Sequence, residues 1–326
     1  MTAQLALPPV PILDHRQRRN ILIVVCTALA LVVAAVASLN VALPELARDT
    51  DATQTQLQWI VDSYALVFAA FLLPAGALGD RFGRRGMLIA GLVIFGLSSM
   101  AAFWLDAPGW LIALRAVSGV GAALIMPVTL STITSVFPPE ERGRAVGTWA
   151  GVAGGGAILG LLVSGALLER FSWNAVFAMN VVLAVVALVG TIAVVPSTSD
   201  PDHAAIDPIG AASSALGLAA LIFAIIEGPV RGWTDAAVVA AFAVGVAGLA
   251  AFVLWELRRD QPMLDPRLFR LRGFTSGTIS ITLQFFAAFG FFFVALQYLQ
   301  SILGYSPLES GLAMLPMALA LIATAQ

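Results

Sequence analysis

The 326-residue chain contains no lysine, one cysteine and two histidines, and only 11% of its residues are charged. Soluble domains carry about 25% charged residues. With 60% hydrophobic residues, too little polar surface remains to cover a body dissolved in water. The lone Cys26 excludes an intrachain disulfide. His15 and His203 have no Cys or His neighbour at metal-ligand spacing. No basic run interleaved with aromatics points to nucleic acid. No Gly-rich phosphate loop and no catalytic His/Asp/Glu cluster inside the apolar runs points to an enzyme.

What the chain has is long apolar runs. About 20 such residues cross a bilayer core as a helix. That rule predicts ten spans, at 20–44, 59–79, 87–105, 110–136, 145–168, 174–195, 209–227, 234–256, 275–300 and 308–326. A β-barrel would instead show short alternating segments, and these runs are continuous. The first run follows Arg16, Arg18 and Arg19 and is too long for a signal-peptide core, so it is expected to stay as a span.

Arginine placement sets the expected direction. Alternating the spans puts thirteen arginines on the side of the N-terminus: Arg16, Arg18, Arg19, Arg81, Arg84, Arg85, Arg142, Arg144, Arg258, Arg259, Arg267, Arg270 and Arg272. The other side holds three, Arg48, Arg170 and Arg231, while Arg115 falls inside a span. The N-terminus is therefore expected in the cytoplasm. Pro196–Pro208 (PSTSDPDHAAIDP) is polar and proline-broken, and reads as a linker.

Between spans two and three lies Gly76–Leu88 (GALGDRFGRRGML). Gly76 and Gly79 let helix backbones approach, and Gly83 permits a tight turn. Asp80 sits among Arg81, Arg84 and Arg85, a grouping able to latch one helix to a neighbour; a plain basic anchor is the simpler alternative. This stretch resembles the signature loop of the major facilitator superfamily, G-x-L-a-D-r-x-G-r-r, with Gly76, Leu78, Asp80, Arg81, Gly83, Arg84 and Arg85 all in place. Asn40–Pro44 (NVALP), which is expected to end span one, also fits the family's fourteen-span drug:proton antiporters. So do Trp59–Tyr64 (WIVDSY), Phe137–Ala145 (FPPEERGRA), Glu227–Trp233 (EGPVRGW) and Gln300–Pro316.

The resemblance implies an all-α polytopic membrane protein of the major facilitator fold. Residues 1–195 would form a complete N-terminal six-helix bundle, 196–208 a cytoplasmic linker, and 209–256 two additional helices. Residues 257–274 would be a second link, and 275–326 the first two helices of an incomplete C-terminal bundle with about four helices still to come. It implies proton-coupled efflux of amphipathic drugs or secondary metabolites across a bacterial inner membrane. The driving force would be the proton gradient, with no cofactor and no metal. The partners would be the lipid bilayer, small lipophilic or cationic substrates and protons; the protein would be monomeric when complete. Export of one endogenous metabolite, or a non-transporting truncated remnant, are the alternatives.

Two residues are singled out for proton coupling or cation binding. Asp62 lies in the first turn of span two, where an acid is costly unless it is paired or faces a cavity; the alternative is an idle, solvated carboxylate. Arg115, in LIALRAVSGVGAA, matches the family's fourth-span motif, R-x-x-q-G-x-g, with Ser118 where the family has Gln. Both are expected in the outer part of the membrane, as plausible partners. In span five, Gly156, Gly160, Ser164 and Gly165 fall in the antiporter-motif region, where Gly160-Leu161 replaces the usual Gly-Pro. In span one, Ala34-Ala35-Val36-Ala37 replaces the L-D-x-T of related exporters. In span nine, Gln284 and Phe289 are candidates for a substrate cavity of amides and aromatics.

Overall fold

The computed structural model describes residues 13–197, 207–260 and 262–324, and these form helices joined by short connections, with no strand among them. The order is α1 (His15–Thr50), α2 (Gln54–Phe82), α3 (Arg84–Trp104), α4 (Pro108–Val136), α5 (Pro139–Leu168), α6 (Ala175–Val194), α7 (Pro208–Arg231), α8 (Ala236–Glu256), α9 (Arg272–Gln297) and α10 (Pro307–Thr324). A 3-10 turn at Pro266–Arg270 precedes α9, and a π-helical turn at Tyr298–Ile302 follows it. Helices α1–α8 are each long and apolar enough to cross a membrane.

Several helices run past the apolar stretches that announced them, because capping rather than hydropathy sets their ends. Asp14 and Gln17 form a capping box at the start of α1, and Thr53 and Gln56 form another at the start of α2. Asn40–Pro44 does not end α1. The helix continues through Pro44 to Thr50, and the carbonyl of Pro44 accepts from Arg48 Nε at 3.2 Å. Prolines inside such helices are tolerated because neighbouring groups satisfy the freed backbone.

Helices α1–α6 form one bundle. α4 packs against α2 and α3, α1 against α5 and α6, and α3 against α6. α7 and α8 form a hairpin resting on α2, and α10 packs along α5. One half of the core is built from Ile21, Leu29, Leu88, Leu92, Phe95 and Ile133, and the other from Leu39, Leu46, Leu57, Leu111, Trp173 and Phe177. The outward faces are apolar: Val182, Val185, Val186 and Val189 of α6 and Val239, Val244 and Val246 of α8 are all exposed. Such faces suit lipid, because every backbone polar group is already paired within its helix.

The arginine-bearing connections gather at one end of the bundle. Arg18 pairs with Glu141 at 3.2 Å, tying the start of α1 to that of α5. Arg85 donates to the carbonyl of Ile192 at 2.7 Å, tying α3 to the last turn of α6. Arg267 donates to Leu257 O at 2.9 Å in the link after α8. Of the segment read as a linker, 198–206 lie outside the described residues.

Candidate functional site

Arg115 is held in a closed cage between α4 and α2. The two helices meet at Gly119, where a Cβ would stand 2.7 Å from Tyr64 O and 3.1 Å from Phe68 N. With the backbones in contact one turn away, the Arg115 side chain lies along α2. Its Nε donates to Ile60 O at 3.1 Å, and its guanidinium carbon sits 4.2 Å from the centre of the Tyr64 ring. A cation over a desolvated aromatic face gains about 2 kcal/mol. Tyr64 is fixed in turn: its hydroxyl donates to Val32 O of α1 at 2.9 Å, and Phe95 meets its ring edge-to-face at 6.3 Å. Arg115 is 2% exposed, its Nη2 has no hydrogen-bond partner, and it forms no ion pair among the described residues. Ser118, where the family pattern has Gln, faces α3 and shares a 2.8 Å hydrogen bond with Ser98.

Asp62 is not brought to Arg115. Ile60 and Tyr64 lie on the α4-facing side of α2, and Asp62 is turned about 200° from either by the helical period. It is half-buried on the side that faces α7, where its polar neighbours are Gln58 and Glu227. Glu227 is buried, 5% exposed, and its carboxylate is paired one turn on with the more exposed Arg231. Trp59 and Phe223 join the same two helices, their rings tilted by 33° with centres 5.8 Å apart. The two helices thus present a pair of carboxylates with one guanidinium at their contact.

The signature loop makes its ion pair within itself. Gly83 ends α2 and starts α3 at φ 96°, ψ 129°, a conformation closed to side chains. Across that turn Asp80 pairs with Arg84 at 3.2 Å. A Cβ on Gly79 would come within 2.6 Å of Val128, so the close approach of α2 and α4 requires glycine there, and Gly76 lies against Pro127. Beside the loop opens a cavity of ≈ 600 Å³, lined by Leu72, Leu73, Ala77, Leu78, Asp80 and Arg81 of α2 and by Asp207 and Met263 opposite.

In the antiporter-motif region Gly160 meets α1 backbone to backbone. A Cβ there would stand 2.7 Å from the Cα of Ala34, beside the position where related exporters carry their acid. Gly156 lies against Val33, Ser164 donates to Gly160 O at 2.6 Å, and Gly165 abuts Leu308 of α10. Gln284 is exposed on α9 and does not line the cavity beside the loop; the side chain of Phe289 lies outside those described.

Sequence reasoning missed Tyr64 and Glu227 as neighbours of the two chosen residues. Both lie in stretches it had marked. The available signal was the i, i+4 spacing of Ile60 with Tyr64 and of Glu227 with Arg231.

The profile described as Major Facilitator Superfamily matches residues 25–325. The "Multidrug efflux pump LfrA" of Mycolicibacterium smegmatis is 40% identical over 276 residues, 84% of this chain and 55% of that protein. The "Puromycin resistance protein pur8" of Streptomyces alboniger is 36% identical over 299 residues, 91% of this chain and 59% of that protein. The chain thus spans little more than half the length of these relatives. Among solved structures, the MFS proton:xylose symporter XylE superposes with a TM-score of 0.65 at 15% identity, over 96% of this chain and 68% of XylE, a likeness of fold.

Proposed function

This chain belongs to the major facilitator superfamily, and from that premise we propose that the whole protein exports amphipathic, lipophilic or cationic compounds in exchange for protons. It works by alternating access across the bacterial inner membrane. The arginine-rich end faces the cytoplasm, as the placement of basic residues favours. Asp62 takes up a proton from the outer side and gives it up inward as substrate leaves. The observation that carries this reading is the half-buried carboxylate of Asp62 set against that of Glu227 at the contact of α2 with α7. An acid inside a span is costly unless it is paired or faces a cavity, and a second carboxylate nearby adds to that cost. Arg231, already paired with Glu227, limits how far the second charge is repelled. Arg115 supports the α2–α4 seam from the other face of the same helix.

Dye efflux from vesicles carrying the complete gene product tests this. Efflux should depend on an imposed pH gradient and collapse when an ionophore dissipates it. Efflux that persists without a gradient would exclude proton coupling. A second reading, export of one endogenous compound, is favoured by the similarity to a puromycin resistance protein of a Streptomyces. A drug panel in which a single compound class is moved would support it over broad efflux.

A further inference from the structure

At the arginine-rich end, where α7 begins and α8 ends, two acids lie side by side away from the residues discussed so far. Asp207 caps α7 and is 2% exposed; Glu256 closes α8 and is 1% exposed. Asp207 is well supplied with donors. Its Oδ1 accepts from Gly210 N at 2.9 Å, its Oδ2 accepts from Trp255 Nε1 at 2.8 Å, and Arg259 Nε stands 3.7 Å away. Glu256 has none: both of its oxygens are buried without a hydrogen-bond partner among the described residues. The amides of Met263 and Leu264 approach it without reaching hydrogen-bond geometry. The two carboxyl groups converge over Gly210, where a Cβ would stand 2.5 Å from Glu256 Oε1 and 2.8 Å from Asp207 Oδ2. A side chain at this position would push at least one of the two carboxyl groups aside.

An ionised carboxylate with no donor, enclosed beside a second one, costs several kcal/mol, and such groups neutralise instead. We propose that Asp207 and Glu256 form a proton-binding site, with the proton on Glu256 and Asp207 the nearest acceptor. Asp207 is the member of the pair that lines the cavity beside the signature loop. The charged groups facing it are Arg259 from the link and, across the cavity, Asp80 and Arg81 of α2. When the proton leaves, two carboxylates share one guanidinium, and the end of the α7–α8 hairpin loosens beside the signature loop. This site stands independently of the transport reading, since it binds a proton whether or not anything is exported.

Infrared difference spectra of the full chain in nanodiscs test it. The expected result is a protonated-carboxyl band, present at neutral pH and titrating as the medium is made alkaline, that survives Asp62→Asn and disappears in Glu256→Gln. A band unchanged in Glu256→Gln, or none in the native chain, overturns the proposal. Unfolding temperature gives a second readout. Glu256→Gln copies the neutral acid, so it should match the native chain only at about pH 4 or below, where the unfolded glutamate is protonated too, and exceed it by a margin that grows as the pH is raised to about 9. A variant that is less stable by the same amount at both would also overturn the proposal.

Discussion

Replacing Gly160 with alanine adds one methyl group at the tightest point of the α1–α5 seam. The new carbon would stand 2.7 Å from Ala34 Cα, 2.8 Å from Ala34 Cβ and 3.1 Å from Ala34 O. Carbon atoms rest at about 3.5–4.0 Å, so the helices must part by roughly 1 Å. Forcing extra volume into a packed seam costs about 1–3 kcal/mol, while alanine returns about 0.5–1 kcal/mol of helix propensity. Gly143, on the same helix, has nothing within 4 Å of its Cβ position. There the same substitution keeps the propensity gain and pays no packing cost. The two variants should therefore move in opposite directions, and their difference, about 1–3 kcal/mol, is the packing cost alone. Denaturant unfolding of the chain in mild detergent measures both. Adding Ala34→Gly to Gly160→Ala should recover part of the loss, because it removes one of the close contacts and leaves the Cα. Equal stability for the two single variants would refute the backbone contact between α1 and α5.

Tyr64→Phe removes the hydroxyl bonded to Val32 O and keeps the ring under Arg115, so it should cost about 1 kcal/mol. Tyr64→Leu also removes the aromatic face and should cost about 2 kcal/mol more; equal losses in unfolding measurements would mean that the ring does not hold the guanidinium. Gly83→Ala should cost about 1–3 kcal/mol because φ is 96°. Gly83→Asn should not rescue it, since ψ of 129° lies far from the left-handed region that asparagine tolerates; native stability in either variant, read by thermal unfolding, would contradict the turn geometry.

The helices were legible because lipid demands long apolar runs, and the positive φ of Gly83 followed from a loop too short for any other residue. Helix ends were less so: α1 begins at a capping box and passes through Pro44, and neither feature shows in hydropathy. Rotation about the helix axis was the larger gap. An apolar span carries almost no periodic signal, because both its buried and its lipid-facing sides are hydrophobic. Asp62 and Arg115 therefore read as plausible partners in the sequence, whereas Arg115 lies against Ile60 and Tyr64 and the polar neighbours of Asp62 are Gln58 and Glu227. The sequence sets Asp80 among its arginines but does not show which of them it meets: it pairs across the turn with Arg84, while Arg85 makes the reach to α6. The acids at 207 and 256 are 49 residues apart and meet only because α7 and α8 fold back on each other.

Counting protons against substrate tests the transport account most directly. In proteoliposomes holding the complete protein and a pH-sensitive dye, substrate moving one way should carry protons the other way, and Asp62→Asn should abolish the proton signal while the protein remains folded. Substrate movement with no accompanying proton flux, or a proton flux untouched by Asp62→Asn, would contradict it.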